Sequence, residues 1–490
     1  MKLVSHPYGG LTNPRPFPQA SIRAAALSLL VLGTTMAGGG CTRRPAQPSV
    51  LVVVVDTLRA DMVGALRTVS GGAPSPTPVL DRFAEGAARF RRASTPAPFT
   101  MPAMASLWTG AYPDRCGVVT HESGVSLKSW SGPTLAEEAR AAGLLTAAVV
   151  ANPWLARVST GFDRGFDHFE RLHSPTRGPT DNKAITVTDH AIARLKESGD
   201  RPFLLWVHYF DPHMAYEPPL EFARAAGAAD TDSRIMSDFR SPDRDLRRLY
   251  RGVGYDEAEI AKARLLYQAE VSATDHEIGR LFEQLENQGL ADNTVVIVVA
   301  DHGESLGQHG LFFAHDYTVY EELVHVPLLV RGPGVAAQTH DERVSLVDIA
   351  PTVCHLASLS CADAVDGRDL FWSSPRTLFA AATPRRPKGT AFDGLTVPGL
   401  AGRWTMALRD QLKLVRIPRA EGPRLELYDL ASDPGEQHDL AAARPADVDA
   451  LAKELERWTG EMNAARPPLP VPRRQRRRDT ETLRSLGYLQ

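Results

Sequence analysis

Long runs of apolar, mostly β-branched residues recur along the chain, and several of them end in an acid. Three such runs are "SVLVVVV", "PFLLWVHYF" and "NTVVIVVA", and the residues that follow them are Asp56, Asp211 and Asp301. Runs without polar alternation are typical of parallel strands that are covered on both faces. They predict the inner strands of a parallel sheet.

Segments with helical spacing of apolar residues alternate with these strands. "TPVLDRFAEGAARF" is one of them, and "TLAEEARAAGLLTAAVVAN" combines a helix with the next strand. In the second segment Thr134 and Glu137 predict a capping box and Gly143 a C-cap. A long amphipathic segment runs from Asp256 to about Gln288. The alternation predicts an α/β fold with a doubly wound, mostly parallel sheet sandwiched by helices.

Two regions depart from this alternation. Residues 214–254 are rich in Arg, Asp and Gly without periodicity, which predicts a loop or lid near the site. Further on, the alternating runs "QLKLVRI" and "RLELYDL" predict antiparallel strands, with Lys413 expected to be solvated. We therefore expect a catalytic domain over 49–382, a smaller C-terminal α+β subdomain with an antiparallel sheet over 383–470, and a solvated basic tail over 471–490.

Composition and charge add little about partners. The 490 residues are 43% hydrophobic and 23% charged, with a formal net charge of −3, which is ordinary for a soluble globular protein. A nearly neutral chain gives no support to nucleic-acid binding. The oligomeric state is not readable from the sequence.

The first forty residues have the layout of an export signal. Arg23 precedes the apolar stretch "AAALSLLVLG", which is too short to span a bilayer and is followed by small residues. The ending "GGGC" resembles a bacterial lipoprotein signal, in which Cys41 would be lipidated, although Gly38 stands where a leucine-like residue is usual. Cleavage at an Ala-x-Ala-type site without lipidation is the alternative. We expect a signal peptide over 1–40, a linker over 41–48, and a periplasmic or cell-surface protein that meets the membrane only through its lipid anchor.

Export implies an oxidising compartment, which bears on the four cysteines. Cys354 and Cys361 lie seven residues apart and are candidates for a disulfide; two small buried side chains are the alternative. Cys116 has no obvious partner, and no pair has zinc-site spacing.

Polar side chains at strand ends are the candidate chemistry. The carboxyl ends of parallel strands meet at one edge of a sheet, so Asp56, Asp211 and Asp301 are expected to lie close together. His302 follows Asp301 directly. A further motif is "FTMPAMASLWTG", which places Thr100 at the head of a helix-like segment.

Seven collinear phrases resemble the sulfatase-like branch of the alkaline phosphatase superfamily. They cover roughly residues 49 to 440 and are "LVVVVDTLRAD", "TPVLDRFAEGAARF", "TMPAMASLWTGAYPDRCGV", "VVADHGESLGQHG", "VYEELVHVPLLVRGPG", "VSLVDIAPTV" and "ELYDLASDPGEQHDLA". The resemblance implies an alkaline-phosphatase-like fold and a metal-dependent ester hydrolase.

The resemblance also implies roles for individual residues. Thr100 stands at the family's nucleophile position, where a helix N-terminus favours an anion. The implied metal shell is Asp56, Thr100, Asp301 and His302. His213 matches a family histidine that contacts the ester or protonates the leaving oxygen. The alternative for Thr100 is a hydroxyl that only caps its helix.

Four positions depart from the sulfatase pattern. Thr100 replaces the cysteine or serine that sulfatases oxidise to formylglycine, and Met104 replaces the arginine that supports the aldehyde hydrate. Thr57 replaces a second aspartate, and His302 replaces an asparagine. Fewer carboxylates and an added imidazole favour zinc or manganese over calcium. A threonine ester cannot collapse to an aldehyde, whereas water can attack a phosphothreonine in line.

Other polar residues near these motifs are weaker candidates for substrate binding. They are His208, Asp211, His309, His315 and His121, and Asn152 at another strand end is weaker still. Two-metal relatives carry an Asp-x-x-x-His pair, whereas Asp211 and His213 are only two apart. We therefore expect one divalent metal and leave a second open.

The first hypothesis is an exported enzyme that hydrolyses or transfers phosphate mono- or diesters through Thr100. The alternative is a sulfuric ester hydrolase that uses Thr100 without formylglycine. A third hypothesis is a non-catalytic, surface-anchored binding lipoprotein with a relic site. Small-molecule, lipid and polymer esters all remain open as substrates.

Overall fold

A computed structural model of the chain describes residues 47–67, 74–120, 125–172, 182–241, 244–362, 366–372, 374–383 and 402–467. The predicted signal segment with Cys41, the basic tail and His121 lie outside the described residues. The described helices are α1 (Pro78–Glu85), α2 (Thr100–Thr109), α3 (Pro113–Cys116), α4 (Leu135–Ala141), α5 (Ala184–Ser198), α6 (Leu220–Ala225), α7 (Arg234–Arg240), α8 (Leu246–Tyr250), α9 (Glu257–Asn287), α10 (Glu321–Val324), α11 (Ile349–Leu356) and α12 (Pro445–Ala465).

The described strands are numbered in chain order. They are β1 (Ser49–Val55), β2 (Ala88–Phe90), β3 (Ala93–Ser94), β4 (Leu145–Val150), β5 (His168–Arg171), β6 (Phe203–Tyr209), β7 (Thr294–Val299), β8 (Ser305–Leu306), β9 (Phe312–Ala314), β10 (His325–Val326), β11 (Leu328–Arg331), β12 (Thr339–His340), β13 (Val344–Ser345), β14 (Leu378–Ala382), β15 (Trp404–Arg409), β16 (Leu412–Ile417) and β17 (Arg424–Asp429).

A mostly parallel sheet of eight strands forms the centre, in the order β12-β2-β11-β7-β1-β6-β4-β5. Strands β7, β1, β6, β4 and β5 run parallel to one another, whereas β11 is antiparallel to both β7 and β2. In the register, Val53 of β1 pairs with Val207 on one side and Val298 on the other. Every residue of β1 is buried, as its unbroken apolar run predicts.

Two groups of helices pack around this sheet. Helix α9 contacts α1, α5, α6 and α7, while α2 contacts α3, α4 and α11. The predicted capping box is present in α4, where Thr134 accepts from the Glu137 amide, and Gly143 adopts a φ of 91° just beyond the helix. The long segment starting at Asp256 forms α9 with a capping box of its own. The expected doubly wound α/β organisation is confirmed.

The prediction of a loop over 214–254 is wrong in part, because this region contains α6, α7 and α8. These helices have only six, seven and five residues. So few turns show too little repetition for a period of 3.6 to be recognised in the sequence.

A four-stranded antiparallel sheet, β14-β15-β16-β17, forms the C-terminal subdomain, and α12 packs on β15 and β16. The expectation that Lys413 is solvated is wrong: its side chain in β16 is fully buried. Its ammonium lies 2.8 Å from Glu321 and 2.9 Å from Glu436, and these two carboxylates make its burial tolerable.

Two further features concern the cysteines and the membrane. Cys354 and Cys361 lie at disulfide-bonding distance, with their Cα atoms 5.9 Å apart, and Cys116 is buried with a free thiol. Among the helices that the structure describes, none combines the length and apolar character needed to cross a bilayer.

Candidate active site

Four neighbouring strands of the central sheet deliver the polar side chains of the candidate site. Asp56 follows β1, Asp301 and His302 follow β7, and Asn152 follows β4. His208 is the sixth residue of β6, which pairs with both β1 and β4. These side chains converge because parallel neighbouring strands end at the same edge of the sheet.

Thr100 is the first residue of α2, and it does not cap the helix. The N-cap residue is Phe99, which makes no side-chain capping bond. The Thr100 hydroxyl instead lies 3.4 Å from His302 Nε2, and the Asn152 amide donates to it at 3.3 Å. At the start of α2 the amides of Thr100 and Met101 have no acceptor within the helix. The hydroxyl and the positive end of the helix dipole thus face the same polar cluster.

Asp56, Asp301 and His302 form a cluster whose ligand atoms all lie within 4.8 Å of one another. In each residue one polar atom is held by the protein. Asp56 Oδ2 accepts from Asn152 at 2.6 Å, Asp301 Oδ1 from the His302 amide at 2.9 Å, and His302 Nδ1 donates to the Gly303 carbonyl at 2.9 Å.

The other polar atom of each residue faces the shared space. Among the described residues, Asp56 Oδ1 and Asp301 Oδ2 are buried without a hydrogen-bond partner. They lie 3.7 Å and 3.4 Å from His302 Nε2. Two orphaned carboxylate oxygens and an imidazole nitrogen, each oriented by a second hydrogen bond, fit a divalent cation.

Burial and neighbouring charges shift the pKa values of the cluster residues. Burial opposes ionisation of Asp56, but the His208 hydrogen bond and the nearby imidazoles lower its pKa below the usual range. Burial, together with the Asp56 charge, raises the pKa of Asp301 well above its usual value. Burial also lowers the pKa of His302, which keeps it neutral, as a metal ligand must be.

A second layer of histidines adjoins this cluster. The His315 ring lies 4.5 Å from that of His302 and 4.9 Å from that of His213. Burial opposes the charged form of His315, but Glu304 at 3.2 Å and Asp316 raise its pKa to about 10. Burial and the charge of His315 lower the pKa of His213, whose Nδ1 bonds to the Met214 carbonyl. A cationic and a neutral imidazole therefore lie side by side.

The structure brings together most of the residues that the sequence singles out. Thr100, Asp56, Asp301, His302, His208, His213 and His315 lie in this cluster or its second layer. His208 Nε2 lies 3.4 Å from Asp56.

Two of the predicted substrate-binding residues lie elsewhere. Asp211 accepts from the Ala184 amide at the start of α5 and pairs with Lys183 at 3.4 Å. His309 bonds to Glu322 and to the Glu436 carbonyl, and its ring stacks on Tyr320.

Asn152 and Glu304 are more central than the sequence suggests. Asn152 contacts both Asp56 and Thr100, and Glu304 is fully buried beside His315. The sequence feature that identifies Asn152 as a site residue is its position just after a strand, which it shares with Asp56 and Asp301. Glu304 carries no comparable signal, because its partner lies 11 residues away, beyond strands β8 and β9.

Comparison with known proteins identifies the family. A family model described as Sulfatase matches residues 48–359. The chain belongs to the sulfatase family. An arylsulfatase of Clostridium perfringens (strain 13 / Type A) is 25% identical over 383 residues, which cover 66% of this chain and 78% of that protein. A choline-sulfatase of Rhizobium meliloti (strain 1021) is 27% identical over 361 residues, covering 64% of this chain and 68% of that protein.

A solved structure shows the same fold. The phosphonate monoester hydrolase of Agrobacterium radiobacter matches with a TM-score of 0.67 and 21% identity, over 87% of this chain and all of that chain. The chain is thus a sulfatase-family ester hydrolase with the alkaline-phosphatase-like fold. Thr57, Thr100, Met104 and His302, where the sequence analysis expects departures from the sulfatase pattern, are all buried.

Proposed function

We propose that this sulfatase-family protein hydrolyses or transfers phosphate mono- or diesters, with Thr100 as the nucleophile. The observation that carries the proposal is the position of the Thr100 hydroxyl. It lies at the N-terminus of α2, beside Nε2 of His302. Near it are the oxygens of Asp56 and Asp301 that have no hydrogen-bond partner among the described residues. A hydroxyl that served only as a helix cap would bond to its own helix instead.

The chemistry of Thr100 favours phosphorus over sulfur. Its secondary alcohol is not a substrate for oxidation to formylglycine, and the buried Met104 offers no charge to support an aldehyde hydrate. A sulfated threonine therefore has no aldehyde route by which to expel sulfate. A phosphothreonine is resolved when water, or another acceptor alcohol, attacks phosphorus in line.

The residues that would hold a divalent metal are Asp56, Asp301 and His302, with Thr100 as a fourth ligand. When bound, the ion would lower the pKa of the hydroxyl and neutralise charge on the ester. One imidazole among few carboxylates favours zinc or manganese over calcium. The pairing of Asp211 with Lys183 argues against its serving a second ion.

We assign proton transfer to the two outer histidines. As the bond from Thr100 Oγ1 to phosphorus forms, the hydroxyl proton is released and the bond to the leaving oxygen breaks. His315 carries a proton at neutral pH, because Glu304 and Asp316 raise its pKa to about 10. We propose that neutral His213, whose Nδ1 donates to the Met214 carbonyl, takes up the proton released by Thr100 through its other ring nitrogen, and that protonated His315, in ring contact with it, gives its own proton to the leaving oxygen.

Direct sulfate ester hydrolysis is the second candidate function. Its support is the similarity of the chain to an arylsulfatase and a choline-sulfatase. Hydrolysis would then proceed through a sulfated Thr100 resolved by water at sulfur, without formylglycine.

A substrate panel separates the two candidates. We expect turnover of an aryl phosphate or bis-aryl phosphate to exceed that of the matching aryl sulfate, in protein supplied with zinc or manganese. Thr100→Ala should abolish this turnover, because it removes the attacking oxygen. Thr100→Ser, which keeps a hydroxyl, is the matched control and should retain part of it. Undiminished turnover by Thr100→Ala contradicts the proposal, and a tenfold or greater preference for the sulfate reverses the order of the candidates.

We also propose export and lipid anchoring through Cys41, on the strength of the predicted signal segment alone. A small-molecule, lipid or polymer ester outside the cytoplasm would then be the substrate.

A further inference from the structure

A cavity of about 290 Å³ lies outside the candidate active site. Arg92 and Arg343, which directly precede β3 and β13, form one part of its wall. Arg368, Arg376 and Trp372 contribute from the segment after Asp366. Nothing in the proposed catalytic mechanism uses these residues.

The cavity adjoins the end of α2 that is opposite to Thr100. The Gly367 amide, next to Arg368, donates to the Gly110 carbonyl at 2.9 Å, directly after the last residue of α2. Thr100 begins the same helix, and ten residues of α-helix extend about 15 Å. The segment that supplies Arg368 therefore meets α2 about one helix length from Thr100.

Five carboxylates line the cavity beside its four arginines, and four of the five (all but Asp410) have a basic side chain within 4 Å. Asp348 pairs with Arg376 and Asp369 with His355. Asp341 lies 3.6 Å from Arg91, which is not part of the wall. Glu342 lies 3.8 Å from His340, which is likewise not part of the wall.

Three guanidinium groups remain without a matching acid. Within the described part of the chain, Arg92, Arg343 and Arg368 have no carboxylate oxygen within ion-pair distance. Neutral oxygens are their hydrogen-bond acceptors: the Gln411 side-chain amide for Arg92, the Asp410 carbonyl for Arg343, and the Ser374 carbonyl at 3.5 Å for Arg368.

The proximity of Arg92 to Arg343 has an energetic cost. Burial lowers the pKa of Arg343 to about 10, with Arg92 acting in the same direction and Glu321 and Asp410 opposing it. Two partly buried like charges repel each other, and an anion between them offsets that repulsion. Guanidinium groups also present paired N–H donors that match the oxygens of sulfate and phosphate.

The dimensions and the rim of the cavity indicate what carries the anion. The volume of about 290 Å³ exceeds that of one tetrahedral oxyanion and approaches that of small-molecule sites. Trp372 lines the cavity with 67% of its surface exposed, and it offers a flat apolar face with a polar N–H edge. Such a face suits the ring of a sugar-sized molecule.

We propose that the cavity lined by Arg92, Arg343 and Arg368 is a second anion-binding site, for a sulfate or phosphate group carried on a sugar-sized organic molecule. This proposal does not depend on the identity of the catalytic nucleophile. The anion is held by the guanidinium groups, and its organic body lies against Trp372.

Calorimetric titration with glucose 6-phosphate and glucose 6-sulfate tests the site. The full chain carries Thr100→Ala in all samples so that neither probe is turned over. We expect the double substitution Arg92→Gln/Arg343→Gln to weaken binding at one site at least tenfold. Arg457→Gln, an exposed arginine of α12, is the matched control and should bind like the parent. Equal binding by the double variant and its parent, or no binding of either probe by the parent, overturns the proposal.

The role of Trp372 is tested separately. Because its side chain is exposed, Trp372→Ala should fold normally and provides a check if the arginine variant does not. We expect it to weaken the binding of glucose 6-phosphate several-fold and to leave that of inorganic phosphate unchanged. Unchanged binding of glucose 6-phosphate would show that Trp372 does not contact the sugar ring and would overturn that part of the proposal.

Kinetic measurements on protein that retains Thr100 distinguish two sources of the anion. If the anion belongs to a long substrate that also occupies the active site, Arg92→Gln/Arg343→Gln raises KM for a polymeric ester and leaves KM for an aryl ester unchanged. If it belongs to a separate small molecule, both KM values are unchanged although binding is lost. Either result, together with lost binding, supports the site.

Discussion

Asn152 connects the candidate nucleophile to the candidate metal centre through a single amide nitrogen. Nδ2 lies 2.6 Å from Asp56 Oδ2 and 3.3 Å from the Thr100 hydroxyl. Its Oδ1 accepts from the amides of Trp154 and Leu155, which fixes the side chain in the turn after β4. The donor is thus held in place by the same turn that ends the strand.

Removal of this donor should reduce activity without unfolding the protein. We expect Asn152→Ala to lower kcat for an aryl phosphate by about 10- to 100-fold, the usual effect of losing an outer-shell partner. Asn152→Asp keeps the oxygen that the turn requires but replaces the amide donor with a carboxylate oxygen that repels Asp56, so it should also be impaired. Full activity of Asn152→Asp, with an unchanged melting temperature, would contradict the donor role.

The aspartates at the strand ends differ in their surroundings, and this difference can be tested by metal content. Asp301 Oδ2 is orphaned at the cluster, whereas Asp211 is paired with Lys183. We expect Asp301→Asn to lose the bound divalent metal in elemental analysis. Asp211→Asn, the same chemical change at a comparable strand end, should retain it. Equal metal content in the two variants would show that Asp301 is not a metal ligand.

At the scale of secondary-structure elements, the site depends on how strands and helices end. Strands β1, β4, β6 and β7 lie side by side, so polar residues just past their apolar runs meet at one edge. Helix α2 adds Thr100 from a position that is not adjacent in sequence to any of these strands. The same geometry sends Asp211 to the start of α5, where it accepts a helix amide.

The pair Cys354 and Cys361 lies at the end of α11 and in the loop that follows. Closing a loop of about eight residues restricts the unfolded chain and is worth about 2–3 kcal/mol. We expect Cys354→Ser/Cys361→Ser to lower the free energy of unfolding by about this amount, measured by urea titration. A reducing agent should destabilise the wild type and leave the variant unaffected. If reduction affects both equally, the disulfide is not the cause.

At the scale of the whole molecule, one buried lysine joins the antiparallel sheet to the catalytic region. Lys413 in β16 contacts Glu321 at the start of α10 and Glu436 beyond β17. The positive charge offsets two carboxylates that burial would otherwise destabilise. Its loss would leave both acids buried without a cation.

We expect Lys413→Met to lower the free energy of unfolding by about 3–5 kcal/mol, as is usual when one partner of a buried ion pair is removed. Lys453→Met, at an exposed position of α12, is the matched control and should change stability little. Urea unfolding of both variants provides the measurement. Equal stabilities would show that the buried ammonium contributes nothing to the stability of the fold.

Local sequence patterns predicted the elements that are long enough to show several repeats of their hydrophobic period. The apolar runs predicted the inner strands, the capping box at Thr134 marked the start of α4, and the amphipathic pattern from Asp256 predicted α9. The short helices of 214–254 were missed because they show too few turns. Lys413 was misjudged because an alternating strand does not reveal that its polar face will be covered.

The sequence by itself determined the fold class and the main candidates for the site, because apolar periodicity sets which residues are buried and parallel strands end together. Only the tertiary structure decided which polar atoms are left unpaired. A carboxylate becomes a ligand or a helix cap according to the donors that surround it, and those donors come from distant parts of the chain. This is why Asp301 faces the cluster, Asp211 caps α5, and Asn152 holds Thr100.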